Sequence, residues 1–154
     1  MKRALLIGID SYDRFSGLNG CVNDVHALSP LLTRNEDGSP NFDCQTRTSD
    51  RDRVDRQLMI QAVDALLAPG ANVALFYFAG HGDAAHNDVH LVTQDGTNAE
   101  VGLPLSTILG KVQGSNVPEV IIILDCCFAG GAGGVPQLGN DVATLRSGVT
   151  ILAA

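Results

Sequence analysis

Four apolar runs frame the chain: residues 3–10 (RALLIGID), 72–79 (NVALFYFA), 119–124 (EVIIIL) and 148–154 (GVTILAA). Short runs rich in β-branched and aromatic side chains, closed by glycine or a polar residue, predict buried parallel strands. Between them the apolar period becomes helical. Val22, Val25, Leu28, Leu31 and Leu32 predict a helix over 21–33, with Pro30 expected to kink or break its last turn. A second helix is predicted over 54–67, with Leu58, Val63, Leu66 and Leu67 inward, N-capped from residues 49–52 and stopped by Pro69-Gly70. Residues 105–112 predict a short helix that Ser106 helps to start. Residues 42–48 predict a short edge strand, and 89–93 one half of a hairpin. The polar stretch 11–20 is long for a strand-to-helix turn, which marks it as a functional loop. Strand and helix alternate throughout, so the expected fold is a parallel, doubly wound α/β sandwich in one domain over residues 1–154. The run at 148–154 reads as an unfinished strand, which leads us to expect a further C-terminal piece.

Composition narrows the class of protein. At 45% hydrophobic and 18% charged residues, with no run near the ~20 apolar residues of a membrane span, the chain reads as soluble and cytoplasmic. The net charge of −7 is unevenly spread. Residues 1–56 hold eight Lys or Arg against nine acids, whereas residues 57–154 hold only Lys111 and Arg146 against eight acids. An acidic half favours cationic ligands and argues against nucleic acid, although acidity also serves solubility. The four cysteines, Cys21, Cys44, Cys126 and Cys127, lack zinc or CxxC spacing and are expected to be reduced.

Two strand ends carry reactive groups. The run 119–124 ends in Asp125-Cys126-Cys127 and a glycine-rich loop, 128–134. The run 72–79 ends in His81 between Gly80 and Gly82. In a parallel sheet this is the edge where ligands are met, and a thiol with an imidazole makes a nucleophile with its base. Side chains alternate across a strand, so one adjacent cysteine can face the cleft while the other packs inward. Cys127 is the expected nucleophile and His81 its base. The N–H groups of Gly82 and Cys127 are expected to form an oxyanion hole. Gly80 and Gly82 are read as giving the backbone conformational freedom around the imidazole. Asp10, Asp24 and Asp125 lie near the same edge, and carboxylates grouped there would select a guanidinium or ammonium. Helix capping by Asp24 and loop hydrogen bonding by Asp125 are the structural alternatives. A phosphate cradle at 128–134 is disfavoured, because those glycines match neither GxGxxG nor GxxxxGK[ST].

The segments RALLIGIDSY, GCVNDV, FYFAGHGD and LDCCFAGG, in that order along the chain, resemble the caspase-like cysteine peptidases of clan CD (peptidase family C14), bacterial metacaspases and orthocaspases in particular. The resemblance implies a caspase-like three-layer α/β/α sandwich with a mainly parallel central sheet, comprising the large-subunit portion and the start of the small subunit. It implies the dyad His81 and Cys127. It also implies a pocket for Arg or Lys formed by Asp24 and Asp125 with Cys21 and Ala79, where the family often has serine in place of Ala79. The expected partners are a protein or peptide substrate with a basic residue before the cut and a C-terminal small-subunit fragment or activating partner, without nucleic acid or membrane. The expected setting is bacterial regulated proteolysis, defence or cell death. A latent or non-catalytic caspase-like regulatory module is the alternative. Phe128-Ala129 replaces the histidine-serine pair that often follows the nucleophile. Calcium-dependent members carry an acidic cluster after the hairpin, but here that segment is GLPLSTILGKV with only Asp95 and Glu100 nearby, so no cofactor is expected and Ca2+ activation is disfavoured. Self-processing, if it occurs, is expected within 47–56 or at Arg146.

Overall fold

The computed structural model describes residues 1–85, 88–126 and 145–153. Among them, five parallel strands form the central sheet: β1 (Lys2–Gly8), β2 (Phe42–Thr48), β3 (Val73–Ala79), β7 (Glu119–Asp125) and β8 (Val149–Ala153), in the spatial order β2-β1-β3-β7-β8. The middle strand is therefore β3, and β7, which ends in the cysteine pair, lies beside it. A small antiparallel sheet of β4 (Gly82–Ala85), β5 (Asp88–Val92) and β6 (Gly102–Pro104) follows the His81 turn.

Among the described residues, three helices cover the central sheet: α1 (Cys21–Thr33), α2 (Arg56–Leu66) and α3 (Leu105–Gly114). On one face α2 and α3 bury Leu5, Ile7, Phe76, Phe78, Ile122 and Leu124. On the other, α1 covers Ala4, Leu6, Leu75, Tyr77 and Ala79. This makes the three layers expected of a doubly wound sheet. Strand β3 is covered on both sides and is buried from Ala74 to Ala79, whereas β7 alternates, with Ile121 and Ile123 only half-buried against the α1-side core. No helix among the described residues is long and apolar enough to cross a membrane.

Several local expectations shift for identifiable reasons. Helix α1 runs through Pro30, which sits on its exposed outer side, and reaches Thr33 without a break. Helix α2 begins at Arg56, because Asp55 accepts the Leu58 N–H at 2.8 Å as N-cap; Asp52 instead closes the preceding turn by accepting the Thr48 N–H. Helix α3 is capped from outside, by Asp88 accepting from both the N–H and the hydroxyl of Ser106.

The loop 11–20 is firmly built. Asp10 accepts the Leu18 N–H on its carbonyl, and the Cys21 and Val22 N–H groups on its carboxylate at 3.0 and 3.3 Å. It thereby caps α1, whose preceding residue Gly20 has φ 132°, a conformation other residues rarely adopt. Gln94, buried, accepts the Val54 N–H on its side chain and donates to Ser11, while its carbonyl accepts the Asp13 N–H. An Arg53–Asp13 ion pair closes the outer side of the loop.

Candidate active site

His81 follows β3 directly and is held from two sides. Its backbone N–H donates to the Tyr12 hydroxyl at 2.8 Å, and that hydroxyl donates to the Ile9 carbonyl at 3.2 Å. The Tyr12 ring lies 4.8 Å from the imidazole, centroid to centroid. Burial of Tyr12, opposed by its bond to His81 and reinforced by the charges of Cys21, Asp10 and Cys126, raises the phenol far above its ordinary pKa, so it stays a neutral donor at working pH.

The imidazole Nε2 lies 2.8 Å from the Ser16 carbonyl oxygen. A carbonyl can only accept, so Nε2 must carry the proton and the other ring nitrogen, Nδ1, is left as the base. Tyr12 and Ser16 had no role in the sequence reading beyond their place in a functional loop. Their partner is more than sixty residues away, and only the fold brings them to it.

Gly80 acts through space. Its φ is not positive, but a Cβ there would come within 2.7 Å of the Tyr12 hydroxyl and 2.9 Å of the Phe78 ring. This corrects the expectation of backbone freedom at that glycine. Gly80→Ala is expected to displace Tyr12 and destabilise the protein by about 1–3 kcal/mol. At about 2–4 °C per kcal/mol, the melting temperature should fall by several degrees. Gly110, exposed on α3 with nothing within 4 Å of its would-be Cβ, is the control, since alanine there should raise stability by about 0.5–1 kcal/mol. Equal melting curves for the two variants would contradict the packing argument.

A second group lies on the α1 side of the sheet. Ala79 on β3 is in register with Asp125 on β7. The Tyr77 hydroxyl donates to Asp125 at 3.2 Å. Burial, then the charge and bond of Asp125, then the charges of Asp24 and Cys21 raise the Tyr77 pKa well above its usual range. Asp125 is thus bonded to this phenol, and the charges of Asp24 and Cys21 act on it as well. Both carboxylates are exposed, and neither is paired with a cation among the described residues. Asp10 is spent on capping α1 and adds no free carboxylate here. Burial, the bond and charge of Asp10, and the charge of Asp24 push the Cys21 thiol up to about 12, so it stays protonated at neutral pH.

Val120, Ile122, Leu124 and Cys126 are buried on the α2 and α3 side, Cys126 with 3% exposure. The inward role expected for Cys126 is therefore observed. Cys127, with its N–H, and the loop 128–134 lie outside the described residues. Gly82 opens β4, buried and in register with Leu91. The two acids weighed for calcium are engaged elsewhere: Glu100 pairs with Arg56, and Asp95 accepts the Arg56 N–H. They do not make an open donor set. Among the described residues, no three His, Cys, Asp or Glu side chains are grouped to hold a metal ion.

A family model for the caspase domain, peptidase C14, matches residues 1–149. The chain belongs to the caspase-domain family. It is 29% identical over 150 residues to metacaspase-2 of Trypanosoma brucei brucei, a match covering 83% of this chain and 41% of that protein. It is 28% identical over 161 residues to metacaspase-1 of Yarrowia lipolytica, covering 94% and 35%. The chain thus spans less than half the length of these curated relatives. Among solved structures, a protein from Geobacter sulfurreducens aligns with TM-score 0.62 and 22% identity, over 84% of this chain and 52% of that one. The Drosophila initiator caspase Dronc aligns with TM-score 0.53 and 11% identity, over 80% and 47%. At these identities the likeness establishes a caspase-like fold, in agreement with the three-layer sandwich with a mainly parallel sheet.

Proposed function

We propose that this caspase domain is the catalytic part of a cysteine endopeptidase that cuts peptide bonds after Arg or Lys. The observation that carries the reading is the Nε2 bond of His81 to the Ser16 carbonyl, which leaves Nδ1 as a base at the end of β3, beside the strand that ends in Asp125. In this reading His81 Nδ1 takes the proton of the Cys127 thiol, and the thiolate attacks the carbonyl carbon of the basic residue. The Gly82 and Cys127 N–H groups bind the oxyanion. Collapse breaks the C–N bond, His81 gives its proton to the departing amine, and a thioester remains. His81 then takes a proton from water, which hydrolyses the thioester and restores the thiol. Asp24 and Asp125, with Cys21 and Ala79 as neighbours, would hold the guanidinium or ammonium of the residue before the cut. The expected setting is regulated proteolysis, defence or cell death in a bacterium.

Hydrolysis of fluorogenic peptides ending in Arg, Lys or Asp tests this. Arg and Lys should be cleaved and Asp should not; preference for Asp would overturn the pocket assignment.

A second reading, a latent module activated by a partner or a C-terminal part, draws on β8. It forms one edge of the sheet among the described residues, and Leu152 on it is 55% exposed. An open edge with an exposed apolar residue is a template for further pairing. Turnover by the whole chain alone would dismiss this reading. Autolytic maturation is also part of the proposal. Of the segments expected to be cut, Arg146 has its guanidinium held by the Val112, Val117 and Pro118 carbonyls, and Arg47, Arg53 and Arg56 are ion-paired, which makes Arg51, the most exposed of these arginines, the better candidate.

A further inference from the structure

His81 also forms part of the wall of a cavity that the acidic group does not share. It measures about 310 Å3, and none of Cys21, Asp24, Ala79 or Asp125 lines it. Its apolar lining comes from Phe15, Val92 and Val101, with Ser16, Asp83 and Asn98 at its polar positions. Ligand pockets run from about 300 to 1,000 Å3, so this one sits at the small end, suited to one amino-acid side chain. Its walls are well fixed. Phe15 meets Tyr12 edge-on at 6.4 Å, Tyr12 packs on the imidazole, and the Val92 N–H donates to the His81 carbonyl at 3.0 Å. Val92 is buried, while Ser16 and Asn98 are exposed and mark the mouth.

We infer that this cavity receives the side chain of the residue immediately after the cut, favouring an apolar side chain there and disfavouring an acidic one. The inference rests on the peptidase reading above. There, His81 protonates the leaving amine, which must come within about 2.6–3.2 Å of the imidazole nitrogen. That amine belongs to the residue after the cut, so the residue's side chain starts beside His81, and this cavity is a recess walled by the same imidazole. The acidic group remains for the residue before the cut. Apolar walls reward an aliphatic side chain by removing it from water. The Asp83 carboxylate, unpaired with any cation among the described residues, repels Asp or Glu.

Internally quenched peptides differing only after the scissile arginine test this on the whole chain: Arg-Leu, Arg-Gly and Arg-Glu. Arg-Leu should exceed Arg-Gly in kcat/KM by about ten-fold, the scale set by a few methylenes in a pocket, and Arg-Glu should fall below Arg-Gly. Val101→Phe, which fills the cavity, should bring the Leu-to-Gly ratio close to one. Asn98→Trp, at the exposed mouth and so without risk to the core, should lower the same ratio. A wild-type ratio near one, or a ratio unchanged in both variants, would overturn the cavity assignment while leaving the peptidase reading in place. Absence of cleavage after any arginine would overturn the peptidase reading and this inference with it.

Discussion

His81→Ala is expected to lower kcat/KM on an Arg-ended peptide by about 10²–10⁴-fold, the range over which a positioned acid-base group contributes. The size follows from the single free nitrogen. With Nε2 committed to the Ser16 carbonyl, Nδ1 must both protonate the leaving amine and later take the proton from water, and alanine removes both steps. The backbone N–H of residue 81 still reaches Tyr12 in the variant, so its melting temperature should stay close to wild type. A variant with wild-type kcat/KM would remove His81 from the mechanism.

Asp125→Asn should have the second largest effect, a loss of about 10–100-fold in kcat/KM for Arg substrates. This is the span of one hydrogen bond to a charged group, about 1.5–3 kcal/mol, at roughly 1.4 kcal/mol per tenfold. The amide oxygen can still accept from Tyr77, so the hydroxyl at 3.2 Å keeps a partner and the exposed position should tolerate the change. The loss should lie mainly in KM, as expected when binding before and during the reaction suffers alike. Asp24, on the first turn of α1, would keep part of the selectivity for a basic residue. Unchanged KM for Arg with a reduced kcat would move Asp125 out of the pocket.

The runs that became β1, β3 and β7 were legible because burial on one or both faces leaves a continuous apolar signature. Strand β4 was not, since GDAA carries no alternation and exists as a strand through its pairing with β5. The start of α2 was misplaced because Ser49, Asp50, Asp52 and Asp55 are all chemically fit to cap, and choosing Asp55 depends on the turn that Asp52 closes. At the site, His81 and the acids stood out by residue type and by position at strand ends. What held them did not: Tyr12, Ser16 and Tyr77 reach their partners across separations of 48 to 69 residues. The glycine at 80 was noticed for the wrong property, freedom in place of smallness, because sequence alone carries no record of what lies 2.7 Å away.

The account stands most directly on which thiol attacks and what it attacks. An acyl chloromethyl ketone ending in Arg should alkylate the protein once, at Cys127, with loss of all activity, while its Asp counterpart should label slowly or not at all. Peptide mapping by mass spectrometry distinguishes the candidates, because Cys126 is buried and the Cys21 thiol, raised to about 12, stays protonated at pH 7.5. Labelling at Cys126 or Cys21, or equal labelling by the Asp reagent, would contradict it.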